Sequence, residues 1–175
     1  MKTSIALIGF MGTGKTAAGK LLARKLRKEF VELDSLIERK AGRTIPEVFQ
    51  QEGEVAFREL EIEVTREVSG RKNVVIACGG GVVLNKINTD RLREECLMVY
   101  LTASPDVIIQ RTSNSINKRP LLNTGNRTWA VRKLLELRRP FYEQAADITV
   151  DTSKLDINSV VEQIINKLKE GEIVQ

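Results

Sequence analysis

Histidine is absent from this 175-residue chain. Its absence excludes zinc sites of the usual kind and histidine-based acid–base catalysis, so any proton in its chemistry moves through a carboxylate, lysine, tyrosine or water. Cysteine is scarce too: Cys78 and Cys96 lie in or beside apolar runs, where buried free thiols are expected rather than a disulfide. No apolar run approaches the length of a membrane span, and the first strand pattern opens at Ser4 with no leader ahead of it. A cytoplasmic setting without membrane contact is the expectation. Repeats, low-complexity tracts and a linker long enough to split the chain are also missing. With 42% hydrophobic and 29% charged residues the composition is that of a soluble globular protein, and residues 1–175 read as one domain.

The formal net charge of +5 is unevenly placed. Between Arg111 and Arg139 eight basic residues face a single acid, Glu136, which leaves that segment at +7 and the rest of the chain at −2. Such a segment suits a flap or helix closing over phosphates. A nucleic-acid surface is the weaker reading, because the segment offers only Trp129 for stacking and no recognised module. No nucleic-acid partner is expected.

What is present is led by Gly9-Phe10-Met11-Gly12-Thr13-Gly14-Lys15-Thr16, which follows the apolar run Ile5-Ala6-Leu7-Ile8 and matches the phosphate-binding pattern G-x-x-x-x-G-K-[ST]. Glycines let backbone N–H groups approach phosphate oxygens, Lys15 reaches the β- and γ-phosphates, and the Thr16 hydroxyl suits Mg²⁺. A helix opening near Gly14 points its positive end at the anion. Gly12, Thr13, Gly14, Lys15, Thr16 and Ala17 form the expected nucleotide-binding run.

Strand patterns at Ser4–Ile8, Phe30–Leu33, Val74–Ala77, Leu97–Leu101 and Ile148–Val150 alternate with helical ones. The helical stretches are Lys15–Lys28, Asp34–Ala41, Pro46–Ser69, Thr89–Glu95, Pro105–Thr112, Thr128–Ala145 and Ile157–Lys169. That alternation predicts an α/β fold, a parallel sheet covered on both faces. Thr44-Ile45-Pro46-Glu47 carries the residues of a capping box with proline in the first turn. Residues 113–127 show no period and read as a loop.

Three further features bear on chemistry. Glu32 and Asp34 fall at or just past the carboxyl end of the second strand, where α/β sheets bind ligands. On their own they read as a solvated strand end and a helix N-cap, but a phosphate loop one strand away favours a magnesium or acceptor role. Gly79-Gly80-Gly81 costs more chain entropy than a turn requires, so something approaches the backbone closely there. Arg58, Arg119, Arg138 and Arg139 suit two-pronged recognition of carboxylate or phosphate. By spacing alone, Arg58 pairs with Glu54 or Glu61 on a helix surface.

The phosphate loop, Asp34-Ser35-Leu36-Ile37-Glu38, Phe57-Arg58-Glu59, Gly79-Gly80-Gly81, Arg119-Pro120-Leu121-Leu122, Arg138-Arg139-Pro140-Phe141-Tyr142 and Val150-Asp151-Thr152 together resemble the shikimate kinases, in order and over nearly the whole chain. The resemblance implies a three-layer αβα P-loop fold with a five-stranded parallel sheet in the order 2-3-1-4-5. It also implies a substrate-binding subregion at about 33–62 and a lid at about 113–127. The activity implied is transfer of the ATP γ-phosphoryl group to the 3-hydroxyl of shikimate, with Mg²⁺ as cofactor; separately from the resemblance, a monomer is expected. Carried over by position, Lys15, Asp34 and Arg119 are the catalytic residues, and Arg111 and Arg119 join the nucleotide site. Asp34, Arg58, Gly79, Gly80, Gly81 and Arg138 hold the acceptor, while Thr16 and Glu32 serve the metal. Two positions depart from the family pattern: Glu32 stands for the first aspartate of Asp-x-Asp, and Ala77 for a common serine. Another kinase of the same fold, such as a gluconate kinase, and a lapsed ATP-binding regulatory protein are the rival readings.

Overall fold

The computed structural model describes residues 1–113 and 126–173. Strand β1 (Ser4–Ile8) leads through the glycine loop into α1 (Lys15–Leu26), and β2 (Glu29–Glu32) runs directly into α2 (Leu33–Ala41). The long α3 (Ile45–Ser69) precedes β3 (Val74–Ala77), a 3-10 turn at Val82–Leu84, and α4 (Lys86–Glu95). Then follow β4 (Cys96–Thr102), α5 (Pro105–Thr112), α6 (Arg127–Ala145), β5 (Ile148–Asp151) and α7 (Ile157–Ile173).

The five strands form one parallel sheet in the order β2-β3-β1-β4-β5, as the resemblance implied. All five β1 residues are buried, which is why its sequence reads as a continuous apolar run rather than an alternation. Ala6 and Ile8 face a core built with α2 to α6, including Ile37, Phe57, Val64, Leu92, Ile108 and Tyr142. Ile5 and Leu7 face a second core with Ala18 and Leu22 of α1 and Val161 and Ile164 of α7. Each fully buried leucine or isoleucine contributes about 1.5–3 kcal/mol, so the two cores fix the sheet between helical layers. Because the strands are parallel, the segments after Ile8, Glu32, Ala77, Thr102 and Asp151 leave one edge of the sheet. That edge carries the site.

Most element ends fall within three residues of expectation, for local reasons. α1 stops at Leu26, two residues early, because Arg27 adopts a left-handed φ of 53° and its N–H returns to the carbonyls of Ala23 and Arg24. α3 opens with the capping box: the Thr44 hydroxyl accepts from the Glu47 N–H, and the Glu47 carboxylate from the Thr44 N–H. The same helix is interrupted at Gly53 (φ 85°, ψ 178°), a conformation that belongs essentially to glycine, so α3 is two helical pieces across a kink.

Candidate active site

The phosphate loop is shaped by close approaches. A Cβ on Gly9 would run into the Leu101 carbonyl oxygen of β4, and one on Gly12 would come within 2.8 Å of Thr112 Cγ2; Gly12 and Gly14 hold φ of 79° and 90°. α1 has neither a side-chain cap nor an acid in its first turn, so its positive end is left to the loop. Lys15 Nζ donates to the carbonyls of Gly9 at 2.7 Å and Phe10 at 2.9 Å, which curls the lysine over the loop's concave side. The Thr16 hydroxyl donates to Glu32 Oε1 at 2.6 Å, and Ser35 donates to the other oxygen of Glu32 at 3.3 Å.

Across the edge of the sheet, Gly79, Gly80 and Gly81 follow β3, and charged side chains fill the space their side chains would need. A Cβ on Gly79 would lie 2.7 Å from Asp34 Oδ1 and 3.4 Å from Glu61 Oε2; one on Gly80, 3.4 Å from Arg138 Nη1; one on Gly81 would collide with the Arg58 guanidinium. The close approach expected from the triple glycine is thus made by the protein's own Asp34, Arg58, Glu61 and Arg138. The glycines also join the two halves of the site, since a Gly80 Cβ would stand only 3.6 Å from the Met11 N of the phosphate loop.

Arg58 does pair with Glu54 and Glu61, at 3.4 and 2.9 Å; Glu54 lies at the helix surface, half exposed, but Glu61 does not. Glu61 is fully buried, and the Arg58 side chain is only 14% exposed. Burial pushes the Glu61 carboxyl above its ordinary range, and that effect outweighs the opposite pull of Arg58 and Arg138. Glu61 is the residue that spacing misread. The signal was available, because Phe57, Glu61, Val64 and Val68 form one helical stripe, and a carboxylate within an apolar stripe is a buried one. Arg138 is equally enclosed, 3% exposed, with its guanidinium 5.9 Å from the Phe10 ring centroid. Glu61 Oε2 and Arg138 Nε are buried without a hydrogen-bond partner among the described residues. Such orphaned groups are costly unless a ligand engages them.

A third region, a cavity of about 570 Å³, lies between the phosphate loop and the start of α7, lined by Gly12, Gly14, Ala17, Arg111, Thr152 and Asp156 among others. Arg111 donates to the Thr152 hydroxyl at 3.0 Å, the Thr152 carbonyl at 2.8 Å and the Gly12 carbonyl at 3.3 Å. These bonds pin the guanidinium edges. Arg119 and most of the expected lid lie outside the described residues. Cys78 and Cys96 are free and buried; burial pushes Cys96 up to about 11 and Cys78 higher still, so neither serves as a nucleophile. Among the described residues no helix is long and apolar enough to cross a membrane.

Residues 11–169 match the family model described as shikimate kinase. A shikimate kinase of Pelotomaculum thermopropionicum is 41% identical over 98% of this chain and 99% of its own. One from Thermodesulfovibrio yellowstonii is 44% identical over 94% of each. Among solved structures, shikimate kinase from Acinetobacter baumannii in complex with shikimate superposes with a TM-score of 0.93 at 37% identity, covering 98% of this chain and 95% of that one. The Aquifex aeolicus shikimate kinase gives 0.81 at 32% identity, over 97% and 98%. Likeness at this identity runs through all three regions of the sheet edge and the helices that supply them, and the chain belongs to the shikimate kinase family.

Proposed function

We propose that the chain transfers the γ-phosphoryl group of ATP to the 3-hydroxyl of shikimate, on the route to chorismate and the aromatic amino acids. The observation that carries this reading is the meeting of Arg58, Arg138, Asp34 and the Gly79–Gly81 turn within contact of the phosphate loop. Shikimate is a carboxylate with three hydroxyls. Two arginines answer the carboxylate, and an aspartate and backbone groups answer the hydroxyls. Phosphoryl transfer asks for alignment and charge stabilisation rather than covalent catalysis, so the lack of histidine is no handicap.

In this reading Asp34 accepts or orients the proton of the attacking hydroxyl, and Lys15 moves from the loop carbonyls onto the transferring phosphoryl group. Arg119 adds a second positive charge there. Gly12 to Ala17 cradle the phosphates, and Arg111 presents its face to the base. The oxygens near the loop also fit Mg²⁺: Thr16 and Glu32 offer hard oxygens side by side. Magnesium is commonly held in this sparse way, by one or two protein oxygens plus phosphate and water. When bound, the ion offsets charge on the phosphates.

A coupled ADP-release assay with shikimate and gluconate at equal concentrations tests the proposal. Turnover on shikimate alone is expected. Preference for gluconate would reassign the acceptor, and ATP binding without turnover on either would favour a regulatory protein.

A further inference from the structure

Tyr142 stands one helical turn after Arg138 on the buried face of α6, fully enclosed. Its ring stacks on Tyr100, with centroids 5.2 Å apart. Its hydroxyl donates to the Gly80 carbonyl. The other carbonyls of the turn are also engaged within the protein: Gly79 accepts from the Val82 N–H at 3.2 Å and Gly81 from the Leu84 N–H at 3.1 Å. The C=O and following N–H of a planar trans peptide point opposite ways. Holding the Gly80 carbonyl toward α6 therefore aims the Gly81 N–H away from it.

Three successive glycines have no side chains to hold their peptide planes, and each adopts many backbone conformations at little cost. The carbonyl hydrogen bonds at Gly79 and Gly81 are local, accepted from N–H groups only three residues ahead. The Tyr142 hydroxyl is a tie from a different element, and that element also carries Arg138. We propose that the Tyr142 hydroxyl is a positioning group for the acceptor pocket, locking the Gly80–Gly81 peptide plane and registering the turn against Arg138. The inference rests on the acceptor reading above and adds to it a residue that touches no reacting atom.

The surroundings favour a permanent donor. Burial holds the Tyr142 hydroxyl up at about 12, against a smaller downward pull from the neighbouring Arg138, so it keeps its proton throughout the neutral range. Removing the hydroxyl leaves the Gly80 carbonyl without its donor and frees the plane to rotate.

Tyr142→Phe keeps the ring and its stack and deletes the hydroxyl alone. The expected result is a rise of about tenfold in the shikimate Kd and KM, with ATP affinity and kcat within about twofold of the parent. Tyr100→Phe is the control, since it changes the other ring of the stack and should leave shikimate affinity unchanged. Amide exchange at Gly81 in the ligand-free protein, read by NMR, should quicken in Tyr142→Phe and not in Tyr100→Phe. Unchanged shikimate affinity in Tyr142→Phe overturns the proposal, as does an equal loss of ATP and shikimate affinity, which would make Tyr142 a general core residue. Failure of the parent to bind shikimate would overturn the functional reading instead, and Gly81 exchange would then decide the clamp by itself: unaltered exchange sinks it.

Discussion

Glu32 and Ala77 are register partners on β2 and β3, so the two departures from the family pattern sit side by side. One gains a methylene where the other lacks a hydroxyl. The added reach lets the Glu32 carboxylate take the Thr16 hydroxyl directly, at 2.6 Å. Thr16 thereby spends its only proton on Glu32, which leaves the hydroxyl oxygen with lone pairs to offer.

The first prediction follows from that pairing. Glu32→Gln should weaken the magnesium dependence of turnover by about tenfold or more, the size expected when the partner of a metal ligand is lost. Glu32→Asp should weaken it less, and Ala77→Ser combined with Glu32→Asp should recover part of the loss. Neighbours that compensate one another give interaction energies of about 0.5–3 kcal/mol in a double-mutant cycle. Magnesium titrations of turnover at fixed ATP, across the single and double variants, provide the check. Strict additivity would show that the two positions act independently.

Arg58→Ala and Arg138→Ala should each cost about 2–5 kcal/mol in shikimate binding, because a desolvated charge loses its partner, while ATP binding changes little. Calorimetric titration with each ligand separates the effects. Arg58→Ala carries a second consequence, since it strands the buried Glu61. Combining it with Glu61→Gln should restore melting temperature without restoring shikimate affinity. Equal loss of both ligands in Arg58→Ala would assign the residue to the fold.

The contrast between these residues shows what a sequence conveys. The phosphate loop was legible because its glycines and Lys15 are demanded at fixed spacing by phosphate chemistry. The sheet was legible because β1 is apolar on both faces. Glu61 was not: an arginine and a glutamate three apart on a helix look like a solvent-facing pair, and only the neighbouring Phe57, Val64 and Val68 betray the buried side. The kink at Gly53 was hidden among good helix formers, because no residue type around it forbids a continuous helix. Arg111 was expected beside the nucleotide only from the resemblance, and its bonds to Thr152 and Gly12 join segments more than forty residues apart in sequence and leave no local signal.

The buried Glu61 also predicts a pH dependence of stability. Its value in the folded chain is raised by burial above the ordinary carboxylate value of about 4.3. Its contribution to stability is therefore complete below that ordinary value, and is lost as pH rises through the folded-state value. Glu61→Gln cannot ionise, so its melting temperature minus that of the parent should increase as pH is raised from 4 toward neutrality. A difference that falls with pH would mean that the ion pair with Arg58 outweighs burial and that the Glu61 carboxyl is held below its ordinary range.

The last prediction concerns the nucleotide side. The Thr152 hydroxyl is buried at the meeting of three segments. It accepts from Arg111 at 3.0 Å and lies 3.2 Å from the Thr13 carbonyl of the phosphate loop and 3.1 Å from the Thr102 carbonyl at the end of β4. Thr152→Val keeps the shape and removes the hydrogen bonds, leaving buried polar groups unpaired at a cost of about 1–3 kcal/mol in stability. Arg111 keeps only its carbonyl contacts and is held less firmly against the cavity beside the phosphate loop; on the proposed reading of that cavity as the nucleotide site, the KM for ATP should rise while the KM for shikimate holds. Thr152→Ser retains the hydroxyl and should recover most of the ATP affinity, which loss of packing alone would not allow. If Thr152→Val raises both KM values alike, the hydroxyl supports the sheet edge as a whole rather than the nucleotide pocket.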